Sequence, residues 1–299
     1  MAYAIDALTK ESQGPSQTAL LRRRVFGHHG LVFGGGVLLV IIVAAIFAPL
    51  IAAYDPYTQN LVARMKPPFW MAGSVPDHIL GTDHLGRDYL ARLLYGARIS
   101  LAIGLVAALI SGLIGTAMGV AAGYFGGRVD LAVTFLVNVR LAMPVVLVAL
   151  AVVAIWGGSL QVVIIVLGLL LWDRFAVVMR SSTLEIRNLE YVNAARAIGC
   201  STSRIILSEI MPNMLNKLIV VMTLEMAHAI LLEAALSFLG LGVQPPTPSW
   251  GLMISEAKQM MLFKPWLIAV PGIALFLLVL AINLVGDGLR DVTAPENRN

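Results

Sequence analysis

Six stretches of this chain are too long and too apolar for the interior of a water-soluble domain. They cover residues 31–53, 99–122, 133–155, 160–178, 218–239 and 266–286. A helix rises about 1.5 Å per residue, so about 20 apolar residues cross a hydrocarbon layer of roughly 30 Å. In lipid, every backbone N–H and C=O must be satisfied within the segment or by a closed barrel. No stretch alternates at the strand period, so helices are predicted and a barrel is not. Charged residues make up 13% of the 299 and hydrophobic ones 59%, whereas soluble domains carry about a quarter charged. A soluble fold of this size has too much surface to hide such a composition. The expectation is an all-α membrane protein with six transmembrane helices.

Lysine and arginine set the orientation, because they concentrate in cytoplasmic segments. With the N-terminus inside, twelve of the 21 fall in inner segments and seven in outer ones, while Arg140 and Arg174 lie within spans. Both termini are therefore expected in the cytoplasm. The apolar run after Arg22, Arg23 and Arg24 is about 23 residues, longer than the roughly 7–15 of a signal-peptide core, so it reads as a retained span. The net charge of +4 is scattered, which argues against nucleic-acid binding. Cys200 is the one cysteine, so no intramolecular disulfide forms.

Three parts are expected. Residues 1–98 form a cytoplasmic tail, the first span and an outer loop. Residues 99–288 form the main membrane domain, with a cytoplasmic loop at 179–217. Residues 289–299 form a C-terminal tail. In the 179–217 loop, Leu189, Val192, Ala195 and Gly199 recur at near-helical spacing, and Ile205, Ile206, Ile210 and Met211 follow. This predicts one or two short amphipathic helices. They either lie on lipid headgroups or dock a soluble partner.

Within the spans, Ala107, Ser111, Gly115, Gly119 and Gly123 make a row of small residues at intervals of four. Such a row lets another helix approach closely, in this chain or in a partner. Glu225, His228 and Glu233 share span five. Ionisable groups are costly in lipid, so these three are candidates to line an aqueous cavity or to hydrogen-bond within the bundle. Glu225 and His228 make a Glu-x-x-His pair, but a di-iron bundle needs two such pairs and further carboxylates, so no metal is expected. No phosphate-cradling G-x-x-x-x-G-K-[ST] loop, H-E-x-x-H or G-x-S-x-G is present, so no catalytic residues are assigned. Arg140, about two turns into span three, requires a cavity or a polar partner. Asn283 and Asp287 mark the inner end of span six, before an expected break at Gly286 and Gly288.

Four ordered motifs carry a family resemblance. Residues 190–199 read Glu-Tyr-Val-Asn-Ala-Ala-Arg-Ala-Ile-Gly, followed by Ile210, Met211, Pro212 and Asn213. This resembles the EAA loop of ABC-importer permeases, with Ala194, Ala195, Gly199 and Pro212 matching and Asn193 in place of the usual Glu. Residues 81–88, with Gly81, Thr82, Asp83, Gly86, Arg87 and Asp88, resemble the GTDxxGRD element of the C-type subunit of dipeptide/oligopeptide/nickel permeases. The bare residues also fit a helix-capping turn in which Thr82 or Asp83 accepts backbone N–H groups. Residues 236–251 and 283–291 resemble that family's segment after span five and its C-terminal end. Asn138, Val177 and the pair Ala294 and Pro295 depart from its pattern.

The resemblance implies a type I ABC importer transmembrane domain that pairs with a second, homologous permease subunit. Two cytoplasmic ATP-binding subunits, using ATP and Mg, would dock on the EAA loop through Tyr191, Asn193, Ala194, Ala195, Gly199 and Pro212. A periplasmic solute-binding protein would deliver peptides or related small solutes. The chain itself would bind no cofactor and would sit, multi-pass, in the inner membrane. Two other readings stand beside this one. The first is an ion-gradient-driven carrier or channel that lacks an ATPase partner. The second is an intramembrane enzyme built around Glu225 and His228.

Overall fold

The computed structural model describes residues 24–293. The tail to residue 23, with its arginine triplet, and residues 294–299, with Ala294 and Pro295, lie outside the described residues. Among the described residues the chain is helical, with one isolated bridge between Thr82 and Asp88. The elements are α1 (His29–Ile46), α2 (Ala48–Ile51), α3 (Tyr89–Phe125), α4 (Gly127–Ala142), α5 (Val145–Trp156), α6 (Leu160–Leu170) and α7 (Asp173–Ile186). There follow α8 (Glu190–Ala197), α9 (Met211–Phe238), α10 (Trp250–Ala257) and α11 (Trp266–Thr293).

Five continuous helical stretches are long and apolar enough to cross a membrane: His29–Ile46, Tyr89–Phe125, Leu160–Ile186, Thr202–Phe238 and Trp266–Val292. The expected third span is instead a broken pair, α4 and α5, bent by 83°. Pro144 explains the break. It has no N–H to donate, and its ring forces Met143 into an extended conformation at φ −98°, ψ 128°.

Other boundaries also differ from expectation. The second span begins at Tyr89 rather than near residue 99, because the Asp88 carboxylate caps it, accepting from the Ala91 N–H at 2.7 Å. It ends at Gly126, whose φ is +65°. The stretch 205–211 is not a separate surface helix. It forms a π turn, Ile205–Ile210, that runs directly into α9. Pro212 cannot donate to the carbonyl four residues back. Next to it, the ladder slips and Met211 N–H bonds Ile206 O instead. Helix α11 runs through Gly286 and Gly288 without a break. These glycines admit neighbours: a Cβ at Gly288 would lie 2.6 Å from Leu31 Cβ on α1, and one at Gly286 would strike Thr223 on α9.

Helix α3 is the central rod. Its N-terminal half packs with α1, α9, α10 and α11 through Tyr89, Ala97, Ile230, Trp250, Trp266 and Leu278. Its middle packs with α5, α6 and α9 through Ile103, Ala107, Val153, Leu167 and Leu236. The small-residue row on α3 meets helices of the same chain. Ser111 Oγ donates to Gly168 O on α6 at 2.9 Å. A Cβ on Gly115 would strike Trp172 O, and one on Gly119 would lie 2.5 Å from Ala176 O. At Gly123 it would lie 2.6 Å from Thr183 Cβ. Only glycine lets α7 come this close, and in lipid such packing holds helices together.

Candidate functional site

Three polar assemblies interrupt the apolar bundle. The first is α8 and its socket. Val192 is buried, and Ala195 and Cys200 pack beside it on Met179, Ile186, Ile205, Ile210 and Met214. Burying one such valine stabilises the seat by about 1.5–3 kcal/mol. The helix ends in a Schellman motif: Cys200 N–H bonds Ala195 O and Gly199 N–H bonds Arg196 O, each at 3.1 Å. Gly199 holds the left-handed position this requires, at φ +83°. The outward face carries Tyr191, Asn193 and Ala194, and at its tip Ile198 is 80% exposed.

Polar contacts fix α8 to its neighbours. Tyr191 OH donates to Glu209 O at 3.4 Å and accepts from Asn213 Nδ2 at 3.1 Å. Asn193 Nδ2 donates to Asn188 O at 3.2 Å, and Arg196 Nη1 donates to Asn193 Oδ1 at 3.4 Å. The Arg196 guanidinium lies 5.8 Å from the centre of the Tyr124 ring. Arg187, a residue sequence reasoning did not single out, donates to Gly123 O at 2.6 Å and Tyr124 O at 3.2 Å, closing the C-terminal end of α3. Pro212 stands in the first turn of α9.

The second assembly lies at the opposite end of α3. Asp83 Oδ1 accepts from the N–H groups of Leu85 at 2.8 Å and Arg87 at 2.9 Å. Its Oδ2 is 2.6 Å from Arg87 Nε and 3.2 Å from Arg92 Nη1. Both guanidiniums also reach Glu256 on α10, at 3.1 Å and 2.8 Å. Thr82 Oγ1 accepts from Lys66 N–H at 3.0 Å and donates to Ala63 O. Thr82 and Asp83 thus take backbone N–H groups of the loop, whereas the helix cap is Asp88, which also bonds His78 Nδ1 at 2.8 Å. Gly81 and Gly86 sit at φ +76° and +75°, where any Cβ would strike the carbonyls of Lys66 and Asn60.

Burial pushes the Glu256 carboxyl above the ordinary glutamate range, and the Arg87 charge opposes that rise. Asp83, His84 and Glu256 bring their donor atoms within 4.8 Å of one another. Two guanidiniums already neutralise these carboxylates, so the trio is an ion-pair clamp rather than a cation cage. Glu256 and Arg92 were not legible as partners, being 164 residues apart in the chain.

The third assembly joins α7 and α9. Glu225 is buried and pairs with Arg174 Nη1 at 2.9 Å and His228 Nδ1 at 3.2 Å. Glu233, further along α9, is fully buried. Its Oε1 accepts from Ser237 Oγ at 2.7 Å and Ser249 Oγ at 2.9 Å. Arg140 has a polar partner in Asp173, Nη2 to Oδ1 at 3.3 Å, and donates from Nε to Leu170 O at 2.5 Å. On α4, Asn138 lines a small cleft with Val177 and Arg180 of α7.

Comparison with known proteins gives the family and the fold. The family model described as binding-protein-dependent transport system inner membrane component matches residues 115–299. The model described as the N-terminal TM domain of oligopeptide transport permease C matches residues 16–68. The chain is 41% identical over 275 residues to the di/tripeptide transport system permease protein DppC of Pseudomonas aeruginosa, spanning 92% of this chain and 91% of that protein. It is 43% identical over 267 residues to the dipeptide transport system permease protein DppC of Escherichia coli K12, spanning 89% of each. Among solved structures, a chain of the MetNI methionine ABC transporter in inward facing conformations is similar, with a TM-score of 0.56 at 20% identity. That match spans 69% of this chain and 97% of the other, and speaks for the fold. The chain belongs to the family of binding-protein-dependent transport system inner membrane components.

Proposed function

We propose that this chain is one of two permease subunits of a type I ABC importer and forms part of the translocation pathway for di- and oligopeptides. A second, homologous permease completes the pathway. Two ATP-binding subunits, which hold the ATP and Mg, grip α8 from the cytosol, and a periplasmic solute-binding protein delivers cargo at the Asp83–Glu256 clamp. Both termini face the cytosol, in keeping with the bias of lysine and arginine toward that side. The relatives named as dipeptide permeases, near 40% identity over most of the chain, support the cargo class.

The observation that carries the mechanism is the seating of α8. Its apolar face is locked over the ends of α3, α7 and α9, while its tip offers Ile198 to the outside. An exposed isoleucine on a rigid handle suits a partner's cleft, and ATP-driven closure of the partners would then move the seat as a unit. Energetically, ATP must favour one bundle arrangement over the other through such contacts. The test is cross-linking from Ile198→Cys in a Cys200→Ser background, with the whole complex in native membranes. Capture of an ATP-hydrolysing subunit is expected. Labelling of position 198 only from the periplasmic side, or no ATPase in the purified complex, overturns the reading.

A further inference from the structure

Arg174 stands near the middle of the Leu160–Ile186 span, yet its side chain is 59% exposed. It belongs to an open strip on α7 that continues through Val177, Ser181 and Glu185. Across the seam on α9 stand His228, which is 31% exposed, and Lys217, which pairs with Glu185 at 2.8 Å. A charged ladder on a membrane-spanning seam is costly against lipid tails and is stable against water or a polar partner. Asp173, the neighbour of Arg174, is turned away and held by Arg140.

The geometry at Arg174 is that of a mounted anion receptor. Glu225, only 1% exposed, holds Nη1 at 2.9 Å, and its other oxygen faces His228 Nδ1 at 3.2 Å. A guanidinium has five N–H donors in a planar fork. The buried carboxylate holds Nη1, and with the side chain 59% exposed the free edge of the guanidinium is open at the strip. That edge matches a carboxylate, which binds a guanidinium through two parallel hydrogen bonds.

We infer that Arg174, mounted on Glu225 and flanked by His228, is a carboxylate-binding site in the wall of the translocation pathway and receives the C-terminal carboxylate of a peptide in transit. The inference rests on the peptide-importer reading above and adds a specificity-determining residue to it. A peptide keeps one such carboxylate whatever its side chains, so a single receptor serves many sequences.

The test uses the full complex with both permeases, the ATPase subunits and the binding protein. Arg174→Cys is made in the Cys200→Ser background, whose own peptide uptake is the baseline. Uptake is expected to fall about tenfold or more, the worth of one charge-assisted pair. A cationic aminoethyl thiol reagent should then restore it to within about threefold, while the anionic sulfonatoethyl reagent leaves it low. Stimulation of ATP hydrolysis by loaded binding protein should persist throughout, which a merely structural role would not allow. Unchanged uptake in Arg174→Cys overturns the proposal. So does a thiol that neither reagent reaches, or a labelled cationic form that stays inactive. Loss of the second permease from the purified complex also overturns it, by making Arg174 an intersubunit pair. Absence of peptide uptake in the baseline complex overturns the importer reading first and is distinguishable, since Arg174 is then intact.

Discussion

Gly199 sits at φ +83° at the end of α8, where any residue with a Cβ is strained. The left-handed conformation costs an ordinary L-residue about 1–2 kcal/mol, and asparagine tolerates it best. Gly199→Val should therefore fray the Schellman end and reduce uptake severalfold, with the chain still inserted. Gly199→Asn should retain most of it; equal uptake by both variants in a transport assay would count against α8 as the handle that the ATPase subunits move. At the other end, Asp83 holds two guanidiniums of which Arg92 is fully buried. Asp83→Asn leaves that charge with Glu256 alone and should cost about 3–5 kcal/mol, read as a lower melting temperature in detergent. At this scale, part of the site was legible. The motif singled out Asp83 and Arg87, four residues apart, without their pairing, and Gly199, at the end of an amphipathic run, was marked as well. The partners Glu256 of Arg92 and Glu225 of Arg174 were not, because 164 and 51 residues separate each pair.

The elements were legible where composition is extreme and misjudged where it is mixed. Five of the six apolar runs appear as continuous helical stretches and the third as a bent pair. But α3 begins at Tyr89, in a first turn buried by neighbours that no local window reveals, and the fifth span begins at Thr202, where the exposed turn Thr202–Arg204 leads into the π turn. The break at Met143 follows from Pro144, a signal present in the sequence and masked by the apolar residues around it. The row Gly115, Gly119 and Gly123 announced close packing but not its partner, α7. Gly119→Leu would drive a side chain into the backbone of Ala176 and Arg180. Overpacking of this kind costs about 1–3 kcal/mol or more, so size-exclusion chromatography should show aggregate rather than assembled chain. Pro212→Ala makes a subtler case. It restores an N–H, so the Ile205–Ile210 turn can relax to α geometry and turn α9 by about 100° relative to α8. Insertion should survive, and coupled ATP hydrolysis should drop.

The whole molecule is organised by two antiparallel rods that join its ends. The Tyr89–Phe125 and Thr202–Phe238 stretches each contain 37 residues, about 55 Å of helix. Both are anchored twice. Helix α3 starts in the Asp83–Glu256 clamp and ends under Arg187 and Arg196 beside α8. Helix α9 starts in the α8 socket and ends where Glu233 takes Ser249, the residue that caps α10 through the Leu252 N–H at 3.1 Å. In the proposed importer a push at α8 therefore reaches the cargo-delivery end as movement of rigid rods, and α10 is the last joint in the train. Ser249→Ala removes both the cap and one of the two donors to Glu233, a local loss of about 1–2 kcal/mol. The α8 end is untouched, so the ATPase subunits should still copurify and basal hydrolysis should be unchanged. Stimulation by loaded binding protein should fall severalfold, because the signal then arrives at a slack joint. Full stimulation in Ser249→Ala would show that the two ends communicate by another route.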